Sequence, residues 1–167
     1  MDIDWAGRYM QIVDALVLHS NCVMRNQSKK LDRGGGILLS QHEWQVFSFL
    51  VQHEKDDINM GQVSYALAIP KSTLTKISKV LFDHDLIEKY QFVDNKKDII
   101  LKPTEKGREL YVNYSWECSQ KYFQPLFDGL ASLSDEDLAV CVNAINVFSQ
   151  KMLGDQERKL ILRKEDK

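Results

Sequence analysis

A chain of 167 residues is long enough to enclose one sizeable core and short for two independent ones, so a single domain is expected. With 44 % hydrophobic and 28 % charged residues it has ordinary globular composition, which excludes disorder as its global state. The formal net charge of −2 excludes uniform basicity but hides an uneven distribution. Residues 60–110 hold 9 Lys+Arg against 7 Asp+Glu, whereas 1–59 hold 6 against 8 and 111–167 hold 7 against 9. The middle segment alone is positive, as expected if electrostatic attraction is focused there.

No apolar run approaches the roughly 20 residues of a membrane span. The start, MDIDWAGRYM, lacks the basic and apolar stretches of a signal peptide. A cytoplasmic protein with no membrane partner is expected. Cys22, Cys118 and Cys141 are widely separated, odd in number and in no CxxC arrangement, which indicates reduced thiols rather than a disulfide framework or zinc ribbon.

Trp5, Tyr9, Ile12, Leu16 and Val23 recur at spacings of an amphipathic helix from about 4 to 26. QSKKLDRGGGILL contains the chain's Gly-Gly-Gly and is expected to be a flexible loop. Ser40 with Glu43 forms a capping box before Trp44, Phe47, Leu50 and Val51, and HEKDDI closes that second helix. Asn59 with Gln62 repeats the device before Val63 and Leu67, giving a short third helix that ends near Ala68. Pro70 suits the start of a fourth.

In that fourth helix Leu74, Ile77 and Leu81 face inward, leaving Ser72, Thr73, Thr75, Lys76 and Lys79 for the outer surface or helix entrance. No acidic residue occurs between Ile69 and Phe82, so hydroxyls and amines there are free to approach phosphates or base edges. Leu86-Ile87 and Ile99-Ile100-Leu101 then flank VDNKKD, which reads as two strands around a charged hairpin tip. A short basic helix followed by such a wing is the pattern of a winged helix-turn-helix, whose second helix enters the major groove of DNA.

Thr104 can cap a long helix through Leu110, Tyr114, Tyr122 and Leu126, with Pro125 expected to kink or interrupt it. Ser134 with Asp137 opens a last helix through Leu138, Cys141, Ile145, Phe148 and Met152, and the polar DQERKLILRKEDK tail is expected to fray.

LSQHEWQVFSFL, INMGQVSYALAIPKSTLTKISKVLFDHDLIEK, PTEKGREL and LSDEDL, in this order and spacing, resemble the MarR family of bacterial transcriptional regulators over nearly the whole chain. The resemblance implies a mainly α fold with a small β wing. Residues 37–107 would form the winged helix-turn-helix, with 1–36 and 108–167 as dimerisation helices. It implies a homodimeric repressor on double-stranded DNA with a palindromic operator, because a twofold dimer separates its recognition helices by about 34 Å. Trp5, Ile12 and Leu16, with Tyr122, Phe123, Leu138, Ile145 and Phe148, become candidates for the dimer core. Carried over by position, Ser72, Thr73, Thr75 and Lys76 fall on the base-reading part of the recognition helix and Lys79 on its phosphate-facing continuation. Asn95, Lys96 and Lys97 fall on the wing.

The chain departs from the family pattern at three places. Asp85 stands where Gly is common, and Asp can still adopt the left-handed conformation required. Asn95-Lys96-Lys97 replaces Asp-x-Arg, exchanging a planar guanidinium for point-charge donors and weakening minor-groove reading. Pro103 replaces Leu.

The resemblance also implies release from DNA by a small aromatic effector between the dimer helices and the winged region. Trp44, Tyr65, Tyr114 and Trp116 are candidate lining residues. Redox sensing through Cys22, with Arg25 one turn later, is an alternative, as is a zinc set of His19, Cys22, His42 and Glu43. A winged-helix protein-interaction module without DNA binding is a further one. No cofactor is called for. Catalysis is not expected, since no Ser-His-Asp order, phosphate-binding Gly-rich loop or close carboxylate pair stands in a suitable setting.

Overall fold

The computed structural model of the chain describes residues 5–93 and 95–153, with the backbone alone at 92 and 95–97. The first helix, α1 (Met10–Asn26), follows a 3-10 turn at Gly7–Tyr9 instead of starting near residue 4. No side chain caps α1, and Gly7 with φ 51° turns the chain just before it, so Trp5 lies upstream of the apolar stripe it was assigned to. Helix α1 buries none of its residues within the chain.

The expected flexible loop is an ordered hairpin. Strand β1 (Lys30–Asp32) pairs antiparallel with β2 (Leu38–Ser40), placing Leu31 opposite Leu39. Gly34, Gly35 and Gly36 all have positive φ, which lets the chain reverse through backbone conformations that other residues rarely adopt. Arg33 N–H donates to Ile37 C=O at 2.9 Å, and the Asp32 carboxylate accepts from Gly34 N–H at 2.8 Å. Glycine there encodes a turn as well as freedom, and the sequence pattern alone did not separate the two.

Helix α2 (Gln41–Gln52) begins at the expected capping box, with Ser40 N–H donating to Glu43 at 2.7 Å and Glu43 N–H to Ser40 Oγ at 3.3 Å. Helix α3 (Met60–Ala66) begins at the second box, closed by bonds of 2.9 and 3.0 Å between Asn59 and Gln62. Helix α4 (Lys71–Asp83) buries Leu74, Ile77 and Leu81 and follows Pro70. Strands β3 (Ile87–Phe92) and β4 (Asn95–Pro103) form the wing, in register from Ile87–Pro103 to Gln91–Ile99 and shifted beyond Gln91. A bridge from Ile100 to Asn59 ties β4 to the entrance of α3.

One core joins these elements: Phe47, Leu39, Val63, Leu74, Leu81, Leu86 and Ile87 are fully or almost fully buried. Asp85 takes φ 59° as expected, and Thr104 N–H and Leu86 N–H then bond to Leu86 C=O and Leu81 C=O at 3.0 Å each. Pro103 is fully buried, opposite Ile87. Helix α5 (Glu105–Cys118) starts on Thr104, whose Oγ1 accepts from Gly107 N–H at 3.0 Å and donates to Asp85 C=O at 2.7 Å.

The expected interruption at Pro125 takes a specific form. A π-helical turn at Ser119–Phe123 ends α5, and Pro125 occupies the first turn of α6 (Gln124–Leu130). The Ser134–Asp137 pair opens α7 (Asp135–Leu153), with Asp137 N–H donating to Ser134 Oγ at 3.2 Å. Helices α6 and α7 bury no residue within the chain. The tail from Asp155, expected to fray, and Asp94 of the wing tip lie outside the described residues. Among the described residues no helix is long and apolar enough to cross a membrane.

Candidate nucleic-acid interface

The chain between α3 and α4 is pinned before α4 begins. Ile69 N–H donates to Ser64 C=O at 3.0 Å, Ser64 Oγ donates back to Ile69 C=O at 2.6 Å, and Ala68 takes φ 52°. Packing against α2, α3 and β3 then fixes which face of α4 is inside. Ser72, Thr75, Lys76 and Lys79 are exposed, as the sequence pattern requires, and Thr73 is half-buried.

Two hydroxyls differ from the sequence picture. Thr75 Oγ1 donates to Lys71 C=O at 2.9 Å, so toward solvent it offers a methyl group and an acceptor rather than a donor. Such a group suits a thymine methyl or a base amine. Ser78 is buried and donates to Thr75 C=O at 2.9 Å, which takes it out of contact with any ligand.

Helix α4 has no side-chain cap, so its N-terminal amides and the positive end of its dipole stay open. Lys71, at that entrance, is exposed and was not singled out from the sequence. Lys89 was also missed; it is exposed on β3 and sits 5.0 Å from the ring centroid of Phe82 at the end of α4.

Three other basic residues near the wing, Lys102, Lys106 and Arg108, serve the scaffold. Lys102 pairs with Asp57 at 2.9 Å, and Lys106 donates to His84 C=O at 2.7 Å. Arg108 donates through Nε to both Glu54 oxygens at 2.9 and 3.0 Å and through Nη1 to Glu105 at 2.8 Å. That guanidinium holds the Glu54 carboxyl below its ordinary range. Among the described residues no acid pairs with Lys71, Lys76, Lys79 or Lys89, so the positive charge on α4 and the base of the wing is not neutralised by a salt bridge. Asn95, Lys96 and Lys97 belong to β4 by backbone, and their side chains lie outside the description.

A cavity of about 1030 Å³ opens on the other side, among the β1–β2 hairpin, α2 and α5 with the π-helical turn. Of the four aromatic residues expected there, Trp44 alone lines it. Tyr114 is packed into the core, Trp116 is exposed on α5 and Tyr65 lies outside the lining. Phe49, Tyr111, Tyr122 and Phe123 take their places, with Tyr111 stacked on Trp44 at 6.1 Å. Helical spacing shows which residues share a face; it does not show which neighbour leaves a gap.

The zinc set is not assembled. His19 and Cys22 are exposed on α1, while the Glu43 carboxylate serves the α2 cap and faces Lys30 at 3.9 Å. Among the described residues no three His, Cys, Asp or Glu side chains are grouped to hold a metal ion.

Helices α2, α3 and α4, the last with an open, basic face, and a two-stranded wing define a winged helix-turn-helix protein with long flanking helices. Specifically, the chain has the fold of the MarR family of regulators. The MarR protein from Peptoclostridium difficile superposes with a TM-score of 0.63 at 18 % identity, over 96 % of this chain and 97 % of that one. Streptococcus pneumoniae FabT, solved in complex with DNA, superposes with a TM-score of 0.59 at 19 % identity, over 86 % and 96 %. In sequence the chain is similar to the HTH-type transcriptional regulator PchR of Bacillus subtilis (strain 168), 36 % identical over 111 residues. That match covers 66 % of this chain and 64 % of the relative's length. No family model matches the sequence.

Proposed function

We propose that this protein is a homodimeric DNA-binding transcriptional repressor of the MarR family, with α4 as its recognition helix. One observation carries the reading: α4 presents an uncapped N-terminus and a face of Ser72, Thr75, Lys76 and Lys79, with no acid paired to it among the described residues. Thr73 sits at the entrance of the groove-facing surface, and Asn95, Lys96 and Lys97 would carry the wing to the backbone or minor groove. FabT, of the same fold, was solved on DNA, which supports the assignment of the partner.

Dimerisation rests on α1, α6 and α7. They bury nothing within the chain and, together with the π-helical turn, expose Ile12, Tyr122, Phe123, Ile145 and Phe148, apolar surface that a second copy would cover. A twofold dimer would place two copies of α4 one DNA turn apart and so read a palindromic operator. An effector held against α5 and the π-helical turn would change that separation and lower DNA affinity.

Fluorescence anisotropy on the chain's own upstream DNA, with a salt series and unrelated DNA as competitor, tests the reading. Specific binding should weaken steeply with salt, because phosphates release counterions. Lys76→Ala should weaken operator binding by about 1–3 kcal/mol if Lys76 reads a base, and more uniformly across sequences if it meets phosphate. Salt-insensitive binding, with Lys76→Ala unchanged, would leave a protein-interaction module as the better account.

A further inference from the structure

The middle of the exposed face of α4 is occupied by a side chain whose hydroxyl is already engaged. Thr75 is exposed, and its Oγ1 donates to Lys71 C=O, one turn back, at 2.9 Å. Its own C=O accepts from the buried Ser78 hydroxyl at 2.9 Å. Leu74, Ile77 and Ser78 beside it are at most 5 % exposed, so the helix cannot roll to present another residue in its place.

A threonine hydroxyl bonded to the preceding turn fixes χ1, and with it the direction of the methyl group on the same Cβ. Turning the hydroxyl toward a base acceptor would break the bond to Lys71 and move that methyl away. What Thr75 offers a ligand as a fixed feature is therefore apolar.

The neighbours narrow the choice of base. Lys71 and Lys79 lie one turn to either side, about 6 Å along the axis, and Lys76 is adjacent. All three are exposed, and among the described residues none is paired with an acid. Ammonium groups are donors only and seek acceptor edges. Thymine carries an acceptor, O4, next to a methyl group, which matches a methyl set among donors. The amine of adenine or cytosine, approaching the Thr75 oxygen, would instead place a donor among ammonium groups.

We propose that Thr75 is a specificity-determining residue of the DNA interface, its methyl packing against the 5-methyl group of a thymine in the bound site. The assignment rests on α4 being the recognition helix, as proposed above, and adds which base is selected at one position.

Uracil lacks only the 5-methyl group of thymine, which makes it the probe. The chain's own upstream DNA is synthesised with uracil at random thymine positions and mixed with the full chain, and bound and free fractions are compared to find where the methyl matters. Single replacement of at least one thymine should weaken specific binding about fourfold, the factor expected for one buried methyl contact. Thr75→Ser keeps the hydroxyl and loses the methyl. At that position it should bind thymine and uracil DNA equally, while still preferring the upstream DNA to unrelated competitor. Thr75→Val keeps a methyl and loses the hydroxyl, and it should retain the thymine preference. Both substitutions are at an exposed helical position and leave the core untouched.

Specific binding without any uracil-sensitive thymine would overturn the proposal, as would the same sensitivity in Thr75→Ser as in the unmodified chain. Loss of the thymine preference in Thr75→Val would overturn it too, assigning the contact to the hydroxyl oxygen and a base amine. Absence of any specific DNA binding by the unmodified chain would remove the regulator reading and this assignment together.

Discussion

Two residues show how single side chains set this molecule, and they differ in how visible they were. Asp85 was legible: a short polar residue before Leu-Ile accepts the left-handed conformation, and it has φ 59°. Ala68 was not, because nothing in an alanine announces φ 52°. Its conformation is imposed by Ser64 and Ile69, which close the turn around it. Left-handed backbone costs an L-residue about 1–2 kcal/mol, against up to about 1 kcal/mol lost to the greater freedom of unfolded glycine. Ala68→Gly should therefore stabilise the chain by about 0.5–1 kcal/mol in urea denaturation. A destabilised variant would show that the turn carries no strain. Arg33 was equally hidden, since arginine is ordinarily exposed and its partner Tyr114 lies 81 residues away.

At the scale of elements, capping was the most readable signal. Ser40–Glu43 and Asn59–Gln62 both form reciprocal boxes, since the reaching side chain lies within a single turn and depends on no distant neighbour. Asn59 starts the short helix that α4 packs against, and its backbone also meets Ile100 of the wing. Asn59→Ala should cost about 0.5–2 kcal/mol of stability by calorimetry. Unchanged stability would mean that α3 is held by packing alone. The Gly-Gly-Gly segment has the sequence of a flexible loop and the structure of a hairpin, because pairing with Leu38–Ser40 and the buried Arg33 between the strands decide its form. Pro125 announced a break without its kind. The ring cannot donate within a helix, but whether the chain kinks or widens into a π turn depends on surrounding packing.

The whole molecule is divided between a dry core and bare flanking helices. The core is completed by α2, α3, α4, the wing and the first half of α5. It depends on close backbone approach at one point: a Cβ on Gly107 would lie 2.3 Å from Leu86 O. By contrast, Phe148 and Ile145 are each about half exposed on α7. If a second copy covers them, Phe148→Asp should convert a dimer to a monomer in light scattering and leave the winged region folded. A variant that remains dimeric would place the interface elsewhere. Monomers should also keep only about the square root of the dimer's operator preference, because half-site energies add only when one protein carries both recognition helices.

By itself the sequence determined the order of the helices, the two capping boxes, the wing and the exposed face of α4. Each of these follows from local periodicity or from side chains a few residues apart. Tertiary structure decided which charges remain free, which aromatic residues border a cavity, and where a guanidinium is buried without an anion. Those depend on contacts between residues far apart in the chain, such as Lys102 with Asp57 and Arg33 with Tyr114, which no local pattern encodes.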